Sequence, residues 1–158
     1  MAHVELFFQI VRRGTLEEFK ELIDNANVNV RNEQGQSLLH ESIAFDRDDF
    51  SEFLLSLGID VNHQDKNGQT PLHFASCYSN KVIVDLLFNA GANPRLKDKY
   101  GNSPLWTAIF NAKDDYSVVQ LFKKQGADFL SKNKVGKSPL DLAKRIGNSE
   151  LLKLLTEL

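Results

Sequence analysis

The sequence is poor in the residues that staple a chain or do chemistry. Of 158 residues only Cys77 is a cysteine, so no internal disulfide can form, and a chain of this length can bury a core without one. The absence of disulfides fits a reducing compartment. Long apolar runs are missing too. The start, Met1-Ala2-His3-Val4-Glu5-Leu6-Phe7-Phe8, has no basic flank, and Glu5, Gln9, Arg12 and Arg13 interrupt it before a signal-peptide core is complete. No myristoylation start or C-terminal prenylation motif is present, so no membrane attachment is expected. These readings predict a cytoplasmic protein. Charge of one sign is also lacking: the net charge is −2, without the basic excess of a general nucleic-acid binder.

Metal and cofactor signatures are equally scarce. His3, His40, His63 and His73 are scattered, and no Cys-x-x-Cys or His-Glu-x-x-His spacing occurs. The glycines stand singly and not in a phosphate-cradling loop. No metal and no cofactor are expected. One pair, His73 and Cys77, is spaced to share a helix face and superficially resembles a base with its nucleophile, but no orienting carboxylate or oxyanion site accompanies it. An enzyme built on that pair is a remote alternative.

The near-neutral total hides a gradient. Residues 1–79 carry 6 Lys or Arg against 13 Asp or Glu, and residues 80–158 carry 13 against 8. Such an asymmetry gives the molecule a dipole that can orient a charged partner during encounter.

What the chain does have is self-similarity. Gly35, Gly68, Gly101 and Gly136 recur at spacings of 33, 33 and 35 residues. Each stands two residues before a Ser or Thr that opens a related tetrapeptide: Ser37-Leu38-Leu39-His40, Thr70-Pro71-Leu72-His73, Ser103-Pro104-Leu105-Trp106 and Ser138-Pro139-Leu140-Asp141. A second signature, Gly58-Ile59-Asp60, Gly91-Ala92-Asn93 and Gly126-Ala127-Asp128, keeps the same period. Ser or Thr is a helix N-cap, and proline at the first helical position loses no hydrogen bond. A short helix therefore starts at each tetrapeptide. In the best-formed unit it carries Leu72, Phe74 and Ala75 and breaks near Ser79-Asn80; a second helix follows with Val82, Ile83, Leu86 and Leu87 at helical spacing, closed by Gly91. The polar stretch from Ala92 to Gly101 suits an extended turn into the next unit. A helix pair this short buries its apolar face only by stacking on neighbours.

Gly68-Gln69-Thr70-Pro71-Leu72-His73-Phe74-Ala75, and Val84-Asp85-Leu86-Leu87 leading into Gly91-Ala92-Asn93, resemble ankyrin repeats. The resemblance runs in register from about residue 32 to the C-terminus. It implies an all-α repeat solenoid of stacked helix-turn-helix units joined by β-hairpin-like loops. The expected division is a capping unit at 1–31, repeats at 32–64, 65–97 and 98–132, and a closing unit at 133–158. In the first unit Gly14, Leu16, Phe19, Leu22 and Ile23 sit at second-helix spacing, and Asn27-Val28-Asn29 leads into the first hairpin. The last unit ends on a helix from Ser149 to Leu158 with no hairpin after it, as expected of a self-closing, monomeric stack.

Departures from the pattern are informative. The 98–132 unit is two residues longer, with the extra length expected in Asn111–Tyr116. Leu38 replaces proline, Ser42 replaces a small apolar residue, and Trp106 and Asp141 stand where other units have histidine, so the fourth unit is expected to be less regular.

The resemblance implies binding of another protein through hairpin tips and the exposed inner helix face. Carried over unit by unit, this selects Glu33, Gln34, Gln36, Ala44, Phe45 and Asp46, then Lys66, Asn67, Gln69, Cys77 and Tyr78. It continues with Lys99, Tyr100, Asn102, Trp106, Phe110 and Asn111, and ends with Lys134, Val135, Lys137, Arg145 and Ile146. Phe45, Tyr78, Tyr100 and Phe110, with Trp106 close by, are expected to form an aromatic stripe, although Trp106 and Phe110 could instead fold into the core. Glu33, Asp46, Asp48 and Asp49 mark one end of it and Lys99, Lys134 and Lys137 the other. The expected role is a non-catalytic module that binds and blocks one partner, most specifically an immunity protein neutralising a toxin. A regulator or scaffold for a kinase or transcription factor is the alternative.

Overall fold

The computed structural model describes residues 2–23 and 28–157, with the side chains of Ala2 and His3 outside the description. Asn27, expected in the lead-in to the first hairpin, and Leu158 lie outside the described residues. Ten helices form among those described: α1 (Ala2–Arg13), α2 (Leu16–Leu22), α3 (Leu38–Ala44), α4 (Asp48–Ser56), α5 (Pro71–Cys77), α6 (Lys81–Asn89), α7 (Pro104–Asn111), α8 (Ser117–Lys124), α9 (Pro139–Ile146) and α10 (Ser149–Thr156). They pack as successive pairs. The inner helices α1, α3, α5, α7 and α9 stack in chain order, and α4, α6 and α8 stack behind them. This is an all-α repeat fold, and no extended strand forms among the described residues; one isolated antiparallel bridge joins Arg31 and Ser37.

The inner helices begin where their caps dictate. Ser37, Thr70, Ser103 and Ser138 are the N-caps, each accepting a hydrogen bond from the backbone N–H three residues on. Pro71, Pro104 and Pro139 open their helices, and Leu38, in the same place, is fully buried. The break between α5 and α6 falls at Ser79, in the left-handed region at φ 54°, and Asn80 caps the next helix. Ile83 and Leu87 pack into the core as expected, but Val84 takes the third buried position, while Val82 faces solvent. The cap of α6 is Ala90; Gly91, one residue later, supplies the positive φ of 87° that turns the chain away.

The longer unit accommodates its extra residues between α7 and α8. Lys113 and Asp114 adopt left-handed conformations there, at φ 43° and 73°, and Ala112 and Tyr116 turn inward and are buried. Asn111 stays in the helix.

The N-terminal pair departs most from the repeat. Helix α1 is 12 residues long, against 7 in α3 and α5. Phe19 is buried edge-on against Phe7, Phe50 and Phe53, with ring centroids 6.0, 5.2 and 6.4 Å away. Edge-to-face pairs add roughly 0.5–1.5 kcal/mol each beyond area burial. Two arginines pin the helix. Arg47 donates to the carbonyls of Val11 and Gly14 at 3.0 and 3.1 Å, capping α1, and lies over the Phe50 ring at 4.3 Å. Arg12 pairs with the buried carboxylate of Glu41. Ser42, the polar replacement in α3, is satisfied: its hydroxyl donates to Leu39 O at 3.1 Å and meets Ser51 Oγ at 2.8 Å.

Candidate functional site

The hairpin tips are built by one carboxamide or carboxylate each. Oδ1 of Asn32 accepts from the N–H groups of Gln34 and Gln36, Asp65 from Asn67 and Gln69, Asp98 from Tyr100 and Asn102, and Asn133 from Val135 and Lys137, all at 2.8–3.1 Å. These four residues are absent from the sequence-based selection. Their signal was there, since an Asn or Asp stands three residues before each repeat glycine. The tips then join backbone to backbone. Lys66 N–H donates to Gln34 O at 3.0 Å, Lys99 N–H to Asn67 O at 2.7 Å and Lys134 N–H to Tyr100 O at 3.0 Å.

This framework sets which predicted residues are exposed, Lys99 Nζ donating to Asn67 Oδ1 at 2.8 Å. Glu33, Gln34, Lys66, Asn67, Lys99, Tyr100, Lys134, Val135 and Lys137 are exposed on the tips. Gln36, Gln69 and Asn102 are half-buried at the tip bases. Gln36 Oε1 accepts from Asn32, and the Gln69 and Asn102 carbonyls face His40 and His73.

At the far ends of the inner helices, Phe45 and Phe110 are 48% and 65% exposed, Tyr78 is 57% exposed, and Tyr100 on its tip is 61% exposed. Exposure at these four positions is unrelated to core packing. Asp46 and Cys77 are exposed beside them, and Ala44 and Asn111 are half-buried. Tyr78, Cys77, Asn111 and Lys113 line one open groove of about 310 Å³ across two units. The aromatics stand in two rows: Phe45, Tyr78 and Phe110 at helix C-terminal ends, and Tyr100 at the opposite end with the tips. An inner helix of seven or eight residues, about 10–12 Å long, separates the rows.

Trp106 is half-buried against the core and contributes one wall of a groove of about 270 Å³ shared with Lys137, Asp141, Leu142 and Arg145. Histidine at this position does something else in other units. His40 Nε2 lies 3.0 Å from Gln69 O and His73 Nε2 3.1 Å from Asn102 O, each joining one unit to the next. At Trp106 that bond is replaced by Asn133 Nδ2 donating to Asn102 Oδ1 at 2.8 Å, and the tip keeps the geometry of the others. Asp141, the other replacement, accepts from the N–H and hydroxyl of Ser138, both at 2.9 Å, and the Ser138 N–H holds its carboxyl below the usual range.

Ion pairing is uneven along the chain. Arg12, Lys20 and Arg47 are ion-paired with carboxylates, and Asp49 is one of them. Asp48 accepts from Asn80 at 3.0 Å, so of the expected acidic end Glu33 and Asp46 are the exposed and unengaged members. Among the described residues from 81 to 145, no Lys or Arg has an ion-pair partner. Lys99 rests over the Tyr100 ring at 5.1 Å.

Burial pushes His40 down to about 4 and lowers His73 as well. Both ring nitrogens of His73 are engaged: Nδ1 accepts from Thr70 N and Oγ1 at 3.1 and 2.9 Å, and Nε2 faces Asn102 O. His73 is therefore not placed to act as a base for Cys77. Among the described residues no group of three His, Cys, Asp or Glu is disposed to hold a metal ion, and His3 lies outside those side chains. No described helix is long and apolar enough to cross a membrane.

A family model described as ankyrin repeats, three copies, matches residues 54–133, from within α4 to the fourth tip. No curated protein matches the chain.

Proposed function

The chain belongs to the ankyrin repeat family, whose repeats are protein-interaction modules, and from that premise we propose that it is a non-catalytic binder that covers and blocks one protein partner. The division into units at 1–31, 32–64, 65–97, 98–132 and 133–158 belongs to the same proposal. The observation that carries it is the exposure of Phe45, Tyr78, Tyr100 and Phe110 at tip and inner-helix positions that hairpin and core geometry leave free. Large aromatics held on a rigid frame are the side chains that dominate interface energetics. The engagement of both His73 nitrogens supports the non-catalytic reading.

The narrower reading is a cytoplasmic immunity protein that neutralises a toxin; a regulator or scaffold acting on a kinase or transcription factor is the second. A toxin-like gene beside this one favours the first, an isolated gene the second. The binding role is tested by affinity capture from the native host with wild type and a Tyr78→Ala, Tyr100→Ala double variant. One partner kept by wild type and lost by the variant supports the reading. Equal retention by both moves the interface to the outer helices or the long loop near Asp114.

A further inference from the structure

We propose that the groove between α7 and α9 receives an acidic polypeptide segment bearing one aromatic or large aliphatic side chain; this rests on the binding role above and names the chemistry of the partner. Trp106 gives the groove its apolar wall, with little added by Leu142, which is 2% exposed, and Lys137 and Arg145 line it with positive charge. Neither cation has an ion-pair partner within the described chain. The one carboxylate lining the groove, Asp141, is turned to Ser138 N and Oγ and closes the start of α9. Trp106 stands where His40 and His73 reach across to the next unit, and its indole makes no such bond, which leaves an N–H donor available.

The surroundings favour the same sign of ligand. Lys134 is exposed on the neighbouring tip and Lys144 on α9. Three cations of the first half, Arg12, Lys20 and Arg47, are ion-paired inside the chain, by Glu5, Glu17, Glu41 and Asp49, whereas Lys137 and Arg145 at this groove make no ion pair within the described residues. Complementary charge would speed encounter and fix register, and the face of Trp106 would hold the anchor side chain. A nucleic acid would use the cations but would meet exposed Glu33 and Asp46 if it continued along the stack, so the protein segment is the better fit.

Selection of random dodecapeptides displayed on phage against the full chain tests this. The enriched sequences are expected to be net acidic and to share an aromatic or leucine. Fluorescence anisotropy with a labelled enriched peptide is expected to show at least about a tenfold loss of affinity in a Lys137→Glu, Arg145→Glu variant. Both substitutions lie on exposed side chains, and an unchanged thermal midpoint verifies the fold. Trp106→His installs the residue found at 40 and 73 and is expected to weaken the peptide by a similar factor. Neutral or basic enriched sequences, no enrichment, affinity indifferent to charge reversal, or equal binding of a single-stranded oligonucleotide would each overturn the proposal. Neutral peptides that bind wild type but not the Tyr78→Ala, Tyr100→Ala variant would overturn the groove while leaving the protein-binding role standing. That role falls separately, on the host capture experiment.

Discussion

The imidazole of His40 spans two repeats, with Nε2 3.0 Å from the carbonyl oxygen of Gln69 and Nδ1 2.8 Å from Ser37 Oγ. A carbonyl only accepts, so Nε2 carries the proton and Nδ1 accepts from Ser37, whose N–H also points at it at 3.2 Å. A second proton on the ring would have to enter where two donors already converge.

Stability should consequently fall in mild acid. Burial lowers His40 from 6.5 to about 4, against the opposing pull of the Gln69 bond and Asp65 and with help from His63 and Arg31. Between those values the unfolded chain binds a proton that the folded chain does not, so the stabilisation is complete above 6.5 and is lost as the pH falls towards 4. The loss is on the order of 3 kcal/mol for this residue, and His73, lowered in the same direction, adds to it. Urea midpoints measured across this range should slope downward toward acid, and His40→Gln should flatten the slope.

Removing Arg47 should loosen one end of the molecule and little else. Arg47→Ala takes two donors from the C-terminal carbonyls of α1 and a cation from the face of Phe50, a loss of roughly 1–3 kcal/mol. Hydrogen exchange should accelerate in α1 and α2 and stay near wild type in α7 to α10, as expected of a stack coupled through nearest neighbours. Uniform acceleration would mean that the repeats unfold as one unit.

Two glycine substitutions separate backbone strain from crowding. Gly101 and Gly136 both have left-handed φ, 81° and 74°. A Cβ at Gly101 would lie 2.9 Å from Lys134 N, while one at Gly136 would meet nothing within 4 Å. Both alanine variants should lose about 1 kcal/mol to the left-handed conformation, and Gly101→Ala should lose distinctly more. Equal unfolding midpoints for the pair would show that the hairpins separate at no cost.

Cys77 should behave as an ordinary surface thiol. It is exposed, and the nearest sequence candidate for a base, His73, has both nitrogens engaged. Its alkylation by iodoacetamide at neutral pH should match that of a cysteine in an unstructured peptide within about threefold. A rate tens of times higher would restore the nucleophile reading.

The repeat was legible in the sequence because its parts are local. Thr70-Pro71 opens a helix and a glycine reverses the chain whatever lies around them, so the four inner-helix caps were found without a structure. Exposure of Tyr78 and Tyr100 followed from the repeat register. Other features join distant positions and have no local mark. Arg47 meets Val11 and Gly14 across 36 and 33 residues, and Arg12 meets Glu41 across 29. Asp98 and its counterparts had a local mark that went unread, because the glycine three residues on was the stronger signal. Val82 and Val84 show the limit of periodicity: in a nine-residue helix a shift of two places still leaves Ile83 and Leu87 inside.

The backbone bonds between tips run from Lys66 N–H to Gln34 O, Lys99 N–H to Asn67 O and Lys134 N–H to Tyr100 O, and side chains reinforce two of these contacts, Lys99 Nζ donating to Asn67 Oδ1 and Asn133 Nδ2 to Asn102 Oδ1, both at 2.8 Å. The backbone share of the spacing from one tip to the next is thus independent of which residues stand there. Glu33, Lys66 and Lys134 can be exchanged one at a time while the backbone bonds hold the pitch of the surface. A lineage could retarget this protein by rewriting single letters on a ruler whose graduations do not move.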